Sequence, residues 1–333
     1  MSGNTRCGLV LAVLVFLIGA TIPAALMTGT ETFSLPELYQ AIFSPDGENI
    51  THIIIRELRM PRVIMAVLTG SALGLAGAIL QSVLRNVLVS PDLLGISAGG
   101  GCAGLIVMLY LPQFAMFCGA AVFAGAMAVA LLIYLAAWKR QIEPVRMLLA
   151  GVAVSALFGT AATAMLMLTP ERYSGVYNFL IGGFSGKSWH DLKFFVPGFA
   201  IAFLSAGTLA RKLDILLLGD NAAASLGLPV ERTRCFALAT AALAAASAAG
   251  IAGLLGFAGL LAPHIVRFAG KRGSHRFLLT GSALAGAELV LLGDWLGRTV
   301  VREPAELPAG IFLAGCGAAF FLLLLLMHKR EAV

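Results

Sequence analysis

The sequence predicts an all-α polytopic membrane protein, a single transmembrane domain over residues 1–333 with about ten helices that cross the bilayer. Of the 333 residues, 59% are hydrophobic and only 12% are charged, whereas a soluble chain carries about 25% charged residues. Mean hydropathy is +0.92. The apolar residues fall into windows near the ~20 residues that a spanning helix needs. A soluble enzyme, a disordered chain and a nucleic-acid-binding protein are therefore poor fits.

The predicted spans place both chain termini on the same side of the membrane. With the N-terminus inside, roughly twice as many Lys and Arg residues fall in inner loops as in outer ones, as expected from the resistance of basic loops to translocation. This bias accounts for the net charge of +6 without a nucleic-acid partner. The first apolar run is long for a signal peptide and is interpreted as a retained span. The predicted spans are residues 7–27, 62–83, 92–111, 114–137, 146–168, 193–210, 235–250, 252–268, 277–297 and 308–327.

Two connections are long enough to have functions of their own. Residues 28–61 form a predicted external segment, which turns basic toward its end. Residues 211–234 form a predicted internal segment with a short helix, capped by Asp220 and ended by Gly227. This segment leaves Leu218 and Leu226 in a loop that should face water. The pattern indicates either a helix that fills a groove on a partner or one that lies back on the bundle.

Glycine is abundant, with 38 residues, and several glycines recur at four-residue spacing. Small residues let helix backbones approach closely in lipid, where hydrophobic attraction between helices is weak. The spacing therefore predicts tight helix packing at four pairs, namely Gly70/Gly74, Gly95/Gly99, Gly100/Gly104 and Gly293/Gly297.

Two acidic residues lie within the predicted ninth span, where charges are functional candidates. Asp294 is expected to pair with Arg298 one turn on. Glu288 is expected to form a hydrogen bond to a neighbouring helix; alternatively, either acid could be the coupling site of an ion-coupled secondary transporter. The five histidines and five cysteines show no ligand spacing, so no metal or cofactor is expected. His264 is interpreted as structural.

Several blocks of sequence go beyond composition and occur in a fixed order. They are 59–62 (RMPR), 70–77 (GSALGLAG), 85–88 (RNVL), 182–189 (GGFSGKSW), 218–227 (LGDNAAASLG), 256–267 (GFAGLLAPHIVR) and 306–310 (ELPAG). Together they resemble the signature of FecCD-type permeases, the membrane subunits of bacterial ABC importers for ferric siderophores, haem and cobalamin. The resemblance covers residues 56 to 328.

The resemblance implies a type II ABC importer permease fold in the cytoplasmic (inner) membrane, with both termini cytoplasmic. Expected partners are two cytoplasmic ATPase subunits, a periplasmic or lipid-anchored binding protein, and a second permease subunit in a homodimer or heterodimer. The chain has no GxxxxGK[ST] phosphate loop, so it is expected not to be an enzyme. A ferric siderophore is the expected substrate; haem and cobalamin remain alternatives.

The resemblance also implies three functional surfaces. External arginines that receive acidic residues of the binding protein map to Arg56, Arg59, Arg62, Arg298 and Arg302. The coupling helix that docks the ATPase maps to Leu218, Gly219, Asp220, Ala223, Leu226 and Gly227. The pathway gate maps to Asn86, Leu88, Glu143, Pro144 and Val145, with Val87 where the family has proline.

Overall fold

The protein is a bundle of helices in a computed structural model that describes residues 3–29, 31–137, 144–169, 176–270, 273–300 and 306–328. Each of the ten predicted spans contains a helix, and seven described helices are long and apolar enough to cross a membrane. The predicted all-α polytopic class is therefore confirmed.

The helices are α1 (Gly3–Met27), α2 (Leu35–Phe43), α3 (Ile50–Ile53), α4 (Met60–Val83), α5 (Ile96–Tyr110), α6 (Cys118–Ala137), α7 (Pro144–Leu168), α8 (Val176–Ile181), α9 (Trp189–Leu216), α10 (Asp220–Ser225), α11 (Val230–Ala252), α12 (Ala258–Gly270), α13 (His275–Thr299) and α14 (Ala309–His328).

The core of the bundle is α4, which packs against α9, α11, α12 and α13. In the apolar stretch of the span that contains α4, and in that of α11, 78% of the residues are buried inside the bundle. The corresponding shares are 17% for α1 and 6% for α7. The outer helices therefore present most of their apolar side chains away from this chain, toward lipid or another subunit. The two ends of the bundle are named here by the short helices that they carry, the α2 end and the α10 end.

Glycines set the contact between α4 and α13. A Cβ atom at Gly70 would overlap the carbonyl group of Gly286, and one at Gly74 would overlap the carbonyl oxygen of Ser282. The two backbones can approach this closely only because small residues meet at the crossing. The tight packing predicted for this pair is confirmed. Gly95 differs from its prediction, because it lies at the N-cap of α5 with φ +76° rather than on a helix face.

The segment predicted to be external, residues 28–61, is largely helical. Ser34 opens α2, and its N–H and hydroxyl groups both donate to Glu37 Oε2 at 2.7 Å. These hydrogen bonds lower the pKa of the Glu37 carboxyl, because they stabilise its charged form. Leu38 and Ala41 bury the inner face of α2, which lies against α1 and the start of the next helix.

The second span begins earlier than predicted, because the chain is helical from Ile50 to Val83. Pro61 is the second residue of α4, and the helix continues through it without a break. A π turn over Ile54–Arg59 precedes it, and Met60 N–H donates to Ile55 O, five residues back. Proline lacks an N–H and crowds the carbonyl group four residues back, and the wider turn accommodates both effects.

The predicted span 252–268 is broken. Its helix α12 has 13 residues, which rise about 20 Å, less than the ~30 Å of a bilayer core. Gly253 and Phe257 bound the break with φ +72° and +65°. Non-helical backbone survives at membrane depth only where protein satisfies it. Here Ala252 O accepts from Gly183 N–H at 2.9 Å, and Leu254 N–H donates to Phe179 O at 3.3 Å.

The α4–α13 crossing yields a stability prediction. Gly70→Val should sharply lower the yield of folded, detergent-stable chain, because overpacking a tight contact costs about 1–3 kcal/mol or more. Gly207→Val is the matched control, since Gly207 lies in α9 with open space around it. The measurement is the monodisperse fraction left after heating the purified chain. Equal losses in the two variants would contradict a steric role for Gly70.

Candidate functional site

The short helix α10 is held in shape by glycines at both of its ends. Gly219 is the N-cap residue with φ +101°, and Gly227 follows the helix with φ +82°. Gly227 N–H donates to Ala224 O at 2.9 Å, and Leu228 N–H donates to Ala223 O at 3.0 Å. This is the Schellman pattern, in which a left-handed residue satisfies the last carbonyl groups. The prediction that Asp220 caps the helix is wrong, because Gly219 takes that position and Asp220 lies in the first turn.

The outward face of α10 and its flanks is apolar. Leu218 and Leu226 are each 63% exposed, and Leu217 beside them is 60% exposed, whereas Ala223 is fully buried against the bundle. The prediction that Leu218 and Leu226 are exposed is confirmed. Clustered exposed leucines on a loop indicate a surface that meets another protein or a membrane.

Asp220 links α10 to two other parts of the chain. Its Oδ1 accepts from Arg85 Nη2 at 2.7 Å and from Arg234 Nη2 at 2.9 Å. Arg234 lies on α11 with a side chain that is 4% exposed. Neither contact was predictable from the sequence, because the two arginines lie 135 and 14 residues from Asp220 along the chain.

The predicted gate turn follows α4 and includes Asn86 and Leu88. The Asn86 Oδ1 atom accepts from Leu88 N–H at 3.0 Å, an Asx turn that holds the backbone although Val87 replaces the family's proline. Val87 and Leu88 are about half exposed. Past them, Gln81 Nε2 donates to Val89 O at 3.2 Å. The Gln81 Oε1 atom accepts from the Arg267 guanidinium of α12.

The other predicted gate segment opens α7. Pro144 is its first residue, Val145 is exposed, and Glu143 lies outside the described residues. Further along α7, Gly151 lies against Leu94, just before α5. The two predicted gate segments therefore lie before or at the start of two helices, α5 and α7, that pack on each other.

At the α2 end, two of the predicted docking arginines, Arg62 and Arg298, form one cluster with Asp294. Arg62 Nε donates to both carboxylate oxygens of Asp294, at 3.0 and 3.1 Å, and its Nη1 donates to Glu306 Oε2 at 2.8 Å. Asp294 is 1% exposed, and Arg298 Nε lies 3.3 Å from its Oδ2. The expected pairing of Asp294 with Arg298 is confirmed. One buried carboxylate thus serves two guanidinium groups.

Arg59 points into the protein. It is 6% exposed, and its Nη1 and Nη2 donate to Leu26 O at 2.8 Å and Glu31 O at 2.6 Å. The guanidinium also lies 4.5 Å from the centre of the Phe33 ring. Arg298 similarly donates to Ala25 O at 3.3 Å. Both side chains fasten the end of α1, so a partner reaches them only if these bonds break.

Arg56 differs from the cluster. Its side chain is half-buried at the surface, and its backbone oxygen accepts from Trp189 Nε1 at 2.9 Å, which fixes it beside the start of α9. Arg302 lies outside the described residues. A cavity of about 680 Å³ opens at the same end, and its polar lining includes Arg62, Asn178, Lys187 and Glu306.

Two further polar side chains of the spans, Glu288 and His264, have hydrogen-bond partners within the bundle. Thr21 on α1 donates to Glu288 Oε1 at 2.8 Å, so the expected hydrogen bond between Glu288 and a neighbouring helix is confirmed. His264 Nδ1 lies 2.8 Å from Leu260 O, one turn back on α12. Within the described part of the chain, no three His, Cys, Asp or Glu residues lie together in a way that could hold a metal ion.

A polytopic bundle with a cavity at one end and an exposed apolar helix at the other is typical of a membrane permease that meets other subunits. Known proteins agree with this class. The sequence matches the FecCD transport family over residues 13–327, and the chain belongs to that family. The family comprises permease subunits of ABC importers, which work with ATPase and substrate-binding partners.

Relatives match over most of their length. The Fe(3+)-citrate import system permease protein YfmE of Bacillus subtilis is 39% identical, over 84% of this chain and 83% of that protein. The hemin transport system permease protein HmuU of Yersinia pestis is 32% identical over 99% of both chains. A solved metal-chelate type ABC transporter in an inward-facing conformation is 26% identical, with a TM-score of 0.84 over 95% of this chain and 98% of that one.

Proposed function

We propose that this chain moves a ferric siderophore from a periplasmic binding protein across the bacterial inner membrane. The observation that carries the proposal is the preformed helix α10, whose outward face is apolar and whose inner face is fastened to the bundle. A transporter that works alone has no use for such a surface, so α10 favours the ABC importer over an ion-coupled secondary transporter. Relatives named for Fe(3+)-citrate and ferric enterobactin support an iron chelate, and those named for hemin and cobalamin are the alternatives.

The proposed assembly has the α10 end in the cytoplasm, together with both chain termini. Two ATPase subunits dock there and supply all of the ATP hydrolysis, so this chain is not itself an enzyme. A second permease subunit, identical or paralogous, completes the pathway. The α7 helix supports this pairing, because only 6% of its apolar window is buried within the chain. Asn86, Leu88, Glu143, Pro144 and Val145 form the cytoplasmic gate.

The substrate is tested by uptake of radiolabelled ferric siderophores into cells that lack this chain, with and without ATP depletion. ATP-dependent uptake should be lost and then restored by the gene for the chain. Intact iron uptake would exclude the siderophore, and labelled haem and cobalamin would then be tested in the same cells. Restored uptake that follows the proton gradient and ignores ATP depletion would contradict the ABC importer.

The binding protein docks at the α2 end in this proposal. Arg59, Arg62 and Arg298 each bond to a carbonyl or carboxylate group of this chain. Among the described docking arginines, only the Arg56 side chain lacks such a bond. Lys193 is exposed on α9, one turn past Trp189, whose indole donates to the backbone oxygen of Arg56. Arg59, Arg62 and Arg298 shape the surface beneath by fixing α1, α4 and α13 to one another, and Arg302, outside the described residues, stays a docking residue implied by the resemblance alone.

Arg56→Glu should leave the chain folded and weaken binding of its own substrate-binding protein about fivefold at low salt. The loss should shrink at high salt, because screening weakens exposed charge pairs. Arg59→Glu is the comparison: it places a carboxylate against two carbonyl oxygens and should lower the folded yield. The measurement is the dissociation constant with the detergent-purified chain. Unchanged affinity for Arg56→Glu would place the docking contact elsewhere.

Leu226→Glu tests the proposed coupling segment, in which Leu218 and Leu226 are exposed and Ala223 packs against the bundle. Its other members are Gly219, Asp220 and Gly227. The Leu226 side chain is exposed, so the fold should persist, but the added charge would have to be buried in the ATPase groove. ATP-driven uptake should fall at least tenfold, which corresponds to a loss of about 1.4 kcal/mol in the free energy of docking. Ser274→Glu adds the same charge to an exposed residue before α13 and serves as the control. Full uptake with Leu226→Glu would exclude this surface.

A further inference from the structure

The gate turn is anchored to the protein at two places. On its far side, Gln81 Nε2 donates to the carbonyl group of Val89, and Gln81 in turn accepts from Arg267 of α12, which ties that side to α4 and, through Gln81, to α12. On its near side, Arg85 is the residue at which the chain leaves α4. Asn86, Val87 and Leu88 lie between these anchors and are at least partly exposed.

Arg85 connects the near side of the turn to α10. Its Nη2 atom donates to Leu216 O, the last residue of α9, at 2.8 Å and to Asp220 Oδ1, the first residue of α10, at 2.7 Å. Its backbone has φ +49°, a left-handed conformation that is uncommon for a residue other than glycine. Such a conformation persists where surrounding contacts over-determine it. The side-chain bonds and the shape of the turn therefore depend on each other.

The two ion pairs of Asp220 differ in burial. The Arg85 and Asp220 side chains are each 39% exposed, so solvent screens their pair and it can break and re-form. Arg234 is 4% exposed, and its bond keeps Asp220 with α11. The carboxylate therefore has a firm connection to α11 and a reversible connection to the gate turn.

We propose that Arg85 is a positioning residue that carries a displacement of α10 to the gate turn, through its hydrogen bonds to the Leu216 carbonyl group and the Asp220 carboxylate. When α10 moves with the ATPase, Arg85 is drawn with it, and the backbone of Asn86 to Leu88 follows because Val89 is held from the other side. The inference rests on the proposed function, since it assigns a path from the coupling surface to the gate.

Arg85→Asn tests this connection. Asparagine tolerates positive φ, so the substitution keeps the turn and removes both side-chain bonds. In proteoliposomes that contain the importer with its own ATPase and binding protein, ATP hydrolysis should persist, and substrate transported per ATP should fall about fivefold. Arg85→Lys keeps the positive charge and should restore most of the ratio. Arg276→Asn, at an exposed arginine of α13 outside the coupling segment, should change neither quantity.

A second measurement does not require transport. Spin labels at Leu88→Cys and Leu226→Cys, in a chain whose five cysteines are replaced, report the distance from the gate turn to α10. The distance distribution should be narrow with Arg85 and broad with Arg85→Asn. Failure of the proposed function would be seen in the wild-type importer, as the absence of ATP-driven uptake. The inference alone would be overturned by an unchanged distribution, by an unchanged transport-to-ATP ratio, or by a proportional fall of ATP hydrolysis and uptake.

Discussion

The close crossing of α4 and α13 is the contact on which the rest of the bundle depends. Gly70 and Gly286 let the two backbones meet, and this places Arg62 beside the buried carboxylate of Asp294, near one end of the crossing. The other end of α4 reaches the α10 end, where Gln81 and Arg85 hold the gate turn. Most residues of α4 are buried against neighbouring helices. The surfaces proposed for docking and for coupling thus lie near opposite ends of one buried helix.

The break between α11 and α12 shows how the bundle satisfies backbone groups where water is absent. Residues around Gly253 leave the helix, and their partners come from α8 and the turn after it. Gly310, at the start of α14, donates to Gly182 O at 3.1 Å in the same region. Three separate segments therefore share one set of hydrogen bonds beside the cavity at the α2 end. A substitution that shifts any of these segments would therefore change the shape of that cavity.

The sequence predicted the features that depend on composition and short spacing. Hydropathy located the spans, and the spacing of one helical turn linked Asp294 to Arg298. The position of the Glu288 carboxyl group within an apolar span predicted its hydrogen bond to a neighbouring helix. The start of the second span was missed, because residues 50–61 are polar enough to resemble a loop and their helix is stabilised by packing on α1 and α2. The inward direction of Arg59 and the contact of Arg85 with Asp220 were not predictable, since each depends on residues brought together only by the fold.

The six-residue helix α10 is too short to be stable as an isolated peptide. Glycines at its two ends and the buried Ala223 hold it in its final shape before any partner arrives. The conformational entropy of ordering this segment is therefore lost during folding of the permease rather than on association. In the proposed assembly, an ATPase that docks on α10 would meet a preformed surface, so more of the contact free energy would remain available for affinity. Motion of the ATPase can then displace α10 as a body instead of being absorbed by a disordered loop.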